Sequence, residues 1–161
     1  MTSYFKYCTN LLTIALILIS CNKNAENLIS PLGKGSFTFE TEKYEGGIVI
    51  KIPSSSGFLN EYDVSISCSP GNAVLIYNMP NSSSGNFSIY DAPSVLSTNK
   101  TWLGVVFQPN TTFYNPALGG MLVSSSGTIT KTGSNSFTFT CQVYYQLKPS
   151  TKYTVTGKGS Y

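Results

Sequence analysis

Gly127-Thr128-Ile129-Thr130-Lys131, Asn135-Ser136-Phe137-Thr138-Phe139-Thr140-Cys141-Gln142-Val143-Tyr144-Tyr145 and Tyr153-Thr154-Val155-Thr156-Gly157-Lys158-Gly159-Ser160-Tyr161 are the three runs that decide the fold class. Each alternates an apolar with a polar residue, the period of a strand with one face in a core. In the middle run Phe137, Phe139, Cys141, Val143 and Tyr145 share the apolar face. Thr132-Gly133-Ser134 and Lys148-Pro149-Ser150 are the short links between runs, so the three strands are expected to form an antiparallel meander.

Working outward, the same alternation recurs upstream. Phe37, Phe39 and Thr41 oppose Ser36, Thr38 and Glu40, and Gly46-Gly47 marks a bulge or corner before Ile48-Val49-Ile50-Lys51-Ile52. Tyr62, Val64, Ile66 and Cys68 oppose Glu61, Asp63, Ser65 and Ser67. After the Pro70-Gly71-Asn72 turn, Ala73-Val74-Leu75-Ile76-Tyr77 is apolar on both faces, the pattern of a strand covered on both sides. Asn86 to Tyr90, Thr101 to Gln108 and Met121 to Val123 complete the set. Ser-Ser-Ser-Gly occurs at 54, 82 and 124 with unmatched flanks, which reads as three separate loops. The fold expected is all-β: an antiparallel β-sandwich, with a barrel as the alternative closure. It has about 8–10 short strands, the C-terminal meander, and no helix in the mature domain.

The N-terminus reads differently. Met1 to Tyr7 carries one positive charge, Lys6, and an apolar run from Leu11 to Ile19 follows. That run is signal-peptide length and short of the roughly 20 residues a membrane span needs. It ends in Leu18-Ile19-Ser20-Cys21, which resembles the lipobox of bacterial lipoproteins. The resemblance implies a cleaved signal peptide at 1–20, diacylglycerol and palmitate-type acylation on Cys21, and a polar tether over 21–33. A single domain at 34–161 follows. Cys8 lies before the apolar run and leaves with the peptide. The three C-terminal runs, with Gly85-Asn86-Phe87-Ser88-Ile89-Tyr90, also resemble the strands of small uncharacterised Bacteroidota lipoproteins. That likeness implies a β-sandwich at the outer membrane or cell envelope, and assigns no catalytic residue. Whether the domain faces the periplasm or the cell surface stays open.

Composition narrows the chemistry. Ten lysines stand against seven carboxylates over the 161 residues, with no arginine and no histidine. Without arginine forks or a basic stripe, nucleic acid is not an expected partner. Without histidine, a Ser-His-Asp or Cys-His mechanism is excluded within the chain, and the usual zinc ligand sets are missing. No Ser-x-x-Lys stands in a helical pattern. The expectation is a non-enzyme with no catalytic residues, metal or cofactor. Its membrane partner is reached through Cys21, and its protein or glycan partner is not readable.

Four sets of residues invite a role. Cys68 and Cys141 sit on apolar strand faces in an exported chain, so they form either a disulfide, worth about 4 kcal/mol in the chain-entropy model, or two buried thiols. Trp102 lies too far along the chain from Cys68 for an immunoglobulin pattern. Glu61 and Asp63 share a polar face, as a calcium or glycosidase-type pair or, more simply, as a solvated strand face. Glu40, Glu42 and Glu45 read the same way. Trp102, Phe113, Tyr114 and Tyr144 are the aromatics that could stack on a sugar or small ligand, against their ordinary use as core. Two roles follow as expectations: an envelope-anchored structural or interaction protein, and a glycan or small-ligand binding module on the same scaffold.

Overall fold

The computed structural model describes residues 32–54, 61–69, 71–92, 100–109, 111–118 and 120–161. The segments expected from sequence as a signal peptide (1–20), as lipidated Cys21 and, up to Pro31, as a tether lie outside them. Nine strands form among the described residues. They are β1 (Gly33–Phe39), β2 (Glu42–Pro53), β3 (Glu61–Cys68), β4 (Asn72–Pro80), β5 (Gly85–Ile89), β6 (Trp102–Val106), β7 (Met121–Lys131), β8 (Ser136–Tyr145) and β9 (Lys148–Ser160). A single 3-10 turn, Pro116–Leu118, is the one helical element among them.

All neighbouring pairs are antiparallel, and the sheet runs β7-β6-β4-β3-β2-β1-β9-β8 before β8 pairs back with β7. The ring therefore closes as an eight-stranded barrel, the second of the two closures open from the sequence. β5 stays outside the ring. It pairs with Gly127 to Lys131 on β7, while β6 pairs with Met121 to Val123.

An eight-stranded barrel is just wide enough for its own side chains to fill. Here Phe37, Phe39, Val49, Ile66, Ile76, Leu103, Leu122, Ile129, Phe137 and Val155 point inward and are buried. Glycines make room for the rings. Gly157 lies between Phe37 and Phe139 on the flanking strands, and Gly159 lies beside Phe137. A Cβ on Gly157 would stand 2.5 Å from the Phe139 ring, and one on Gly159 2.6 Å from Phe137. A second, smaller cluster lies on the outer wall, where Tyr77, Trp102 and Val123 are buried with Leu75, Met121, Ala92 and Tyr144 against them.

Two segments differ from their sequence reading. Ser124 to Gly127, expected as a loop between strands, lies within β7, whose pairing to β8 bulges between Ser124 and Ser126. The Ser124 hydroxyl accepts from Leu103 N–H at 3.0 Å and donates to the Tyr90 carbonyl at 2.7 Å, which fixes the bulge in place. Lys148-Pro149-Ser150, expected as a turn, opens β9 instead, and the turn is Gln146-Leu147. Proline is tolerated at a strand start, where its missing N–H breaks no ladder. The Gly46-Gly47 expectation holds: β2 carries an extra residue opposite Ser36, with Gly46 at φ 68°.

Candidate functional site: a lysine and tyrosine cluster at the entry mouth

The barrel has two mouths. At the far one, Phe39, Phe107 and Phe113 pack ring against ring, and Tyr145 Oη donates to the Phe113 carbonyl. The segment after β6 thereby folds over that end. At the entry mouth β1 begins and β9 ends, Lys34 facing Ser160 across the ladder. There the inward face changes from apolar to polar.

Strand alternation brings the polar groups in. Val49 faces the core, so Lys51, two residues on, follows it toward the mouth; Ile129 does the same for Lys131. Tyr62 belongs to the inward row of β3, and Tyr161 follows β9. Lys131 is 3 % exposed, and its Nζ donates to Tyr62 Oη and to the Pro80 carbonyl, each at 3.0 Å. The two phenols hydrogen-bond to one another. Lys51 Nζ stands 4.0 Å from the Tyr62 ring centroid and 5.4 Å from that of Tyr161. The contacts of both ammonium groups here are with phenols and a backbone carbonyl.

Burial, and then the like charge of Lys51, hold the Lys131 amine below its usual range. Burial and the bond to Tyr161 push the Tyr62 phenol well above its own. Such a mouth offers hydrogen-bond donors and positive charge to a ligand. No group of three or more metal-ligating side chains occurs among the described residues. The sequence signal for this cluster is a lysine in phase with an apolar row, at Val49-x-Lys51 and Ile129-x-Lys131; taken as strand ends, both escape notice.

The residues singled out from sequence fall elsewhere. Trp102 is 5 % exposed and stacks on Tyr77 with ring centroids 3.9 Å apart and planes 8° from parallel. Tyr144 belongs to the same outer cluster and donates to Asp91 Oδ1 at 2.8 Å; burial, followed by Asp91, pushes its phenol up to about 12. Phe113 and Tyr114 pack against the main core, Phe113 in the ring cluster of the far mouth. The four are thus split between two places. Two open grooves on the outer wall, of about 360 and 850 Å³, are lined by other residues, among them Ser36, Thr138 and Lys158.

Cys68 and Cys141 are both buried and unbonded. Between β3 and β8 the ring interposes β2, β1 and β9. Cys68 Sγ donates to the Tyr44 carbonyl at 3.4 Å, and Cys141 lies among the core of β8. Asp63 is not on a solvated face. It is 3 % exposed and accepts the N–H of Asn78 at 2.9 Å, where Asn78 takes a positive φ of 55° opposite a bulge in the β3–β4 pairing. Glu61 keeps one buried oxygen, Oε2, with no hydrogen-bond partner, and burial followed by Asp63 raises its carboxyl. Glu40 occupies the β1–β2 turn at φ 52° and accepts from Thr154 N–H, a bracing role.

No helix of the described residues is long and apolar enough to cross a membrane. Comparison of the chain with known protein families, with characterised proteins and with solved structures gives no match.

Proposed function

We propose that this chain is an exported lipoprotein of the cell envelope, held on a membrane by lipid on Cys21, whose barrel acts in structure or interaction and carries out no chemistry of its own. The observation that supports this reading most is how the barrel is filled. Phe37, Phe39, Phe137 and Phe139 occupy the lumen, Phe113 packs over the far mouth, and Lys51, Lys131, Tyr62 and Tyr161 gather at the mouth where the chain enters. A barrel packed in this way presents surfaces and rims to partners. The lipobox resemblance at Leu18-Ile19-Ser20-Cys21 supplies the address. Each buried methylene of an acyl chain contributes about 0.8 kcal/mol, so two or three chains make release slow on any cellular timescale. Glycan binding through Trp102, Phe113, Tyr114 and Tyr144 draws less support, because the four do not share one concave surface.

The anchor is tested by feeding cells labelled palmitate. Label is expected on the wild type and absent from Cys21→Ala, with the mutant released into the soluble fraction; label persisting on the mutant overturns the assignment.

A further inference from the structure

We propose that the entry mouth is a phosphate-binding site, in which Lys51 and Lys131 supply the charge and the one phenol hydrogen left over from the Tyr62–Tyr161 hydrogen bond supplies an orienting donor. Lys51 of β2 and Lys131 of β7 both stand against the Tyr62 phenol at one mouth, the first over its ring and the second bonded to its hydroxyl. Burying like charges together without a counter-ion is costly unless something else provides the negative charge. Lys131 uses two of its three donor hydrogens, on Tyr62 Oη and the Pro80 carbonyl. Lys51 rests on the faces of Tyr62 and Tyr161 and is only half-buried, so it is the group an incoming anion meets first. A doubly charged phosphate balances two ammonium groups, and its oxygens accept from amines and phenols alike. Barrel mouths are a common place for such ligands.

Lys34 and Lys158 stand on the adjoining outer wall beside the exposed Leu32 and Ile48, with Glu45 as the one carboxylate lining that groove. Two carboxylates of β3 lie near this end: Asp63 accepts the N–H of Asn78, and Glu61 is paired across the ladder with Pro80. The same chemistry could come from a free phosphorylated molecule or from a phospholipid headgroup. Neither source depends on the lipid at Cys21, so this site and the anchor can fail separately.

The test uses the full chain in its Cys21→Ala form, which carries no lipid. Its melting temperature is followed against inorganic phosphate, with chloride at matched ionic strength as the reference. A saturable rise specific to phosphate is expected, together with a change in tyrosine fluorescence, and Lys51→Gln should weaken the response at least tenfold. Lys131→Met is the companion variant, but it also loses the bonds to Tyr62 and the Pro80 carbonyl and so shifts the melting temperature by itself; the half-buried Lys51 therefore carries the test. Vesicles of phosphatidylglycerol, compared with phosphatidylcholine, separate the sources. Binding to the former that Lys51→Gln abolishes assigns a headgroup. A phosphate response without vesicle binding assigns a soluble ligand. Wild-type protein that responds to neither, or a Lys51→Gln protein that responds like wild type, overturns the proposal.

Discussion

Lys131 and Asp63 are two charged side chains placed where strand alternation alone would put apolar or solvated ones, and the fold treats them in opposite ways. Asp63 is buried as a hydrogen-bond acceptor for a strained neighbour, Asn78, and is thereby part of the bulge it supports. Lys131 is buried as a donor beside Lys51, Tyr62 and Tyr161, and its amine is held below the usual range. The native state therefore gives up that proton at a lower pH than the unfolded chain, whose value is near 10.5. Between those two points the unfolded state binds more protons, and stability rises with pH. Phenols and thiols raised by burial act in the opposite direction, losing stability above about pH 9 to 10, so the contribution of Lys131 is read as a difference between proteins. Denaturant unfolding from pH 7 to 10.5 should show the wild type gaining stability relative to Lys131→Met as pH climbs. A constant gap across the range would mean that the amine is not perturbed.

β7 is the element on which the architecture turns, because it pairs with β5 and β6 along one edge and β8 along the other. Ser124, 0 % exposed, makes this possible by satisfying Leu103 N–H and the Tyr90 carbonyl at the point where β6 gives way to β5. Ser124→Ala leaves the buried Leu103 N–H without a partner, which costs about 1–3 kcal/mol, and the part-buried Tyr90 carbonyl without its bond, which costs less. Its denaturation midpoint should fall accordingly with the slope unchanged. Ser125→Ala, which loses one longer bond to the Gln142 carbonyl at 3.3 Å, should cost about 1 kcal/mol or less. The reading of elements from sequence divides along the same line. β3, β4 and β8 are plain in the chain because alternation and burial on both faces are local patterns. Ser124-Ser125-Ser126-Gly127 looks like a loop because its serines match the composition of turns, and its true partners, Leu103 and Tyr90, are remote in sequence. The entry-mouth cluster was half legible: Lys51 and Lys131 stand in phase with Val49 and Ile129, but only closure of the ring brings them together.

Taken whole, the molecule is one ring of strands around one core, and closure is a relation that no single segment encodes. The β7–β8 and β1–β9 pairings join it, the second across more than a hundred residues of chain. Sandwich and barrel have the same alternation; what favours the barrel is the row of inward glycines at 157 and 159 that lets Phe137 and Phe139 cross the lumen. A shared core also ties the two thiols to global unfolding. Burial pushes Cys141 up to about 12 and raises Cys68, so both stay protonated at neutral pH and are shielded. Iodoacetamide at pH 8 should leave both untouched in the folded protein. In denaturant without reductant it should modify both, and a requirement for reductant would reveal a disulfide instead.

The pairing of β1 has a mechanical consequence. β1 lies between β2 and β9, with six paired positions on each side, and the preceding chain leaves it at Gly33, at the mouth shared with the end of β9. Force applied to that chain along the strand axis loads both ladders in shear, so their hydrogen bonds must yield together instead of peeling one at a time. A barrel whose first strand sits between two ladders in this way can stay folded while the chain preceding that strand is pulled.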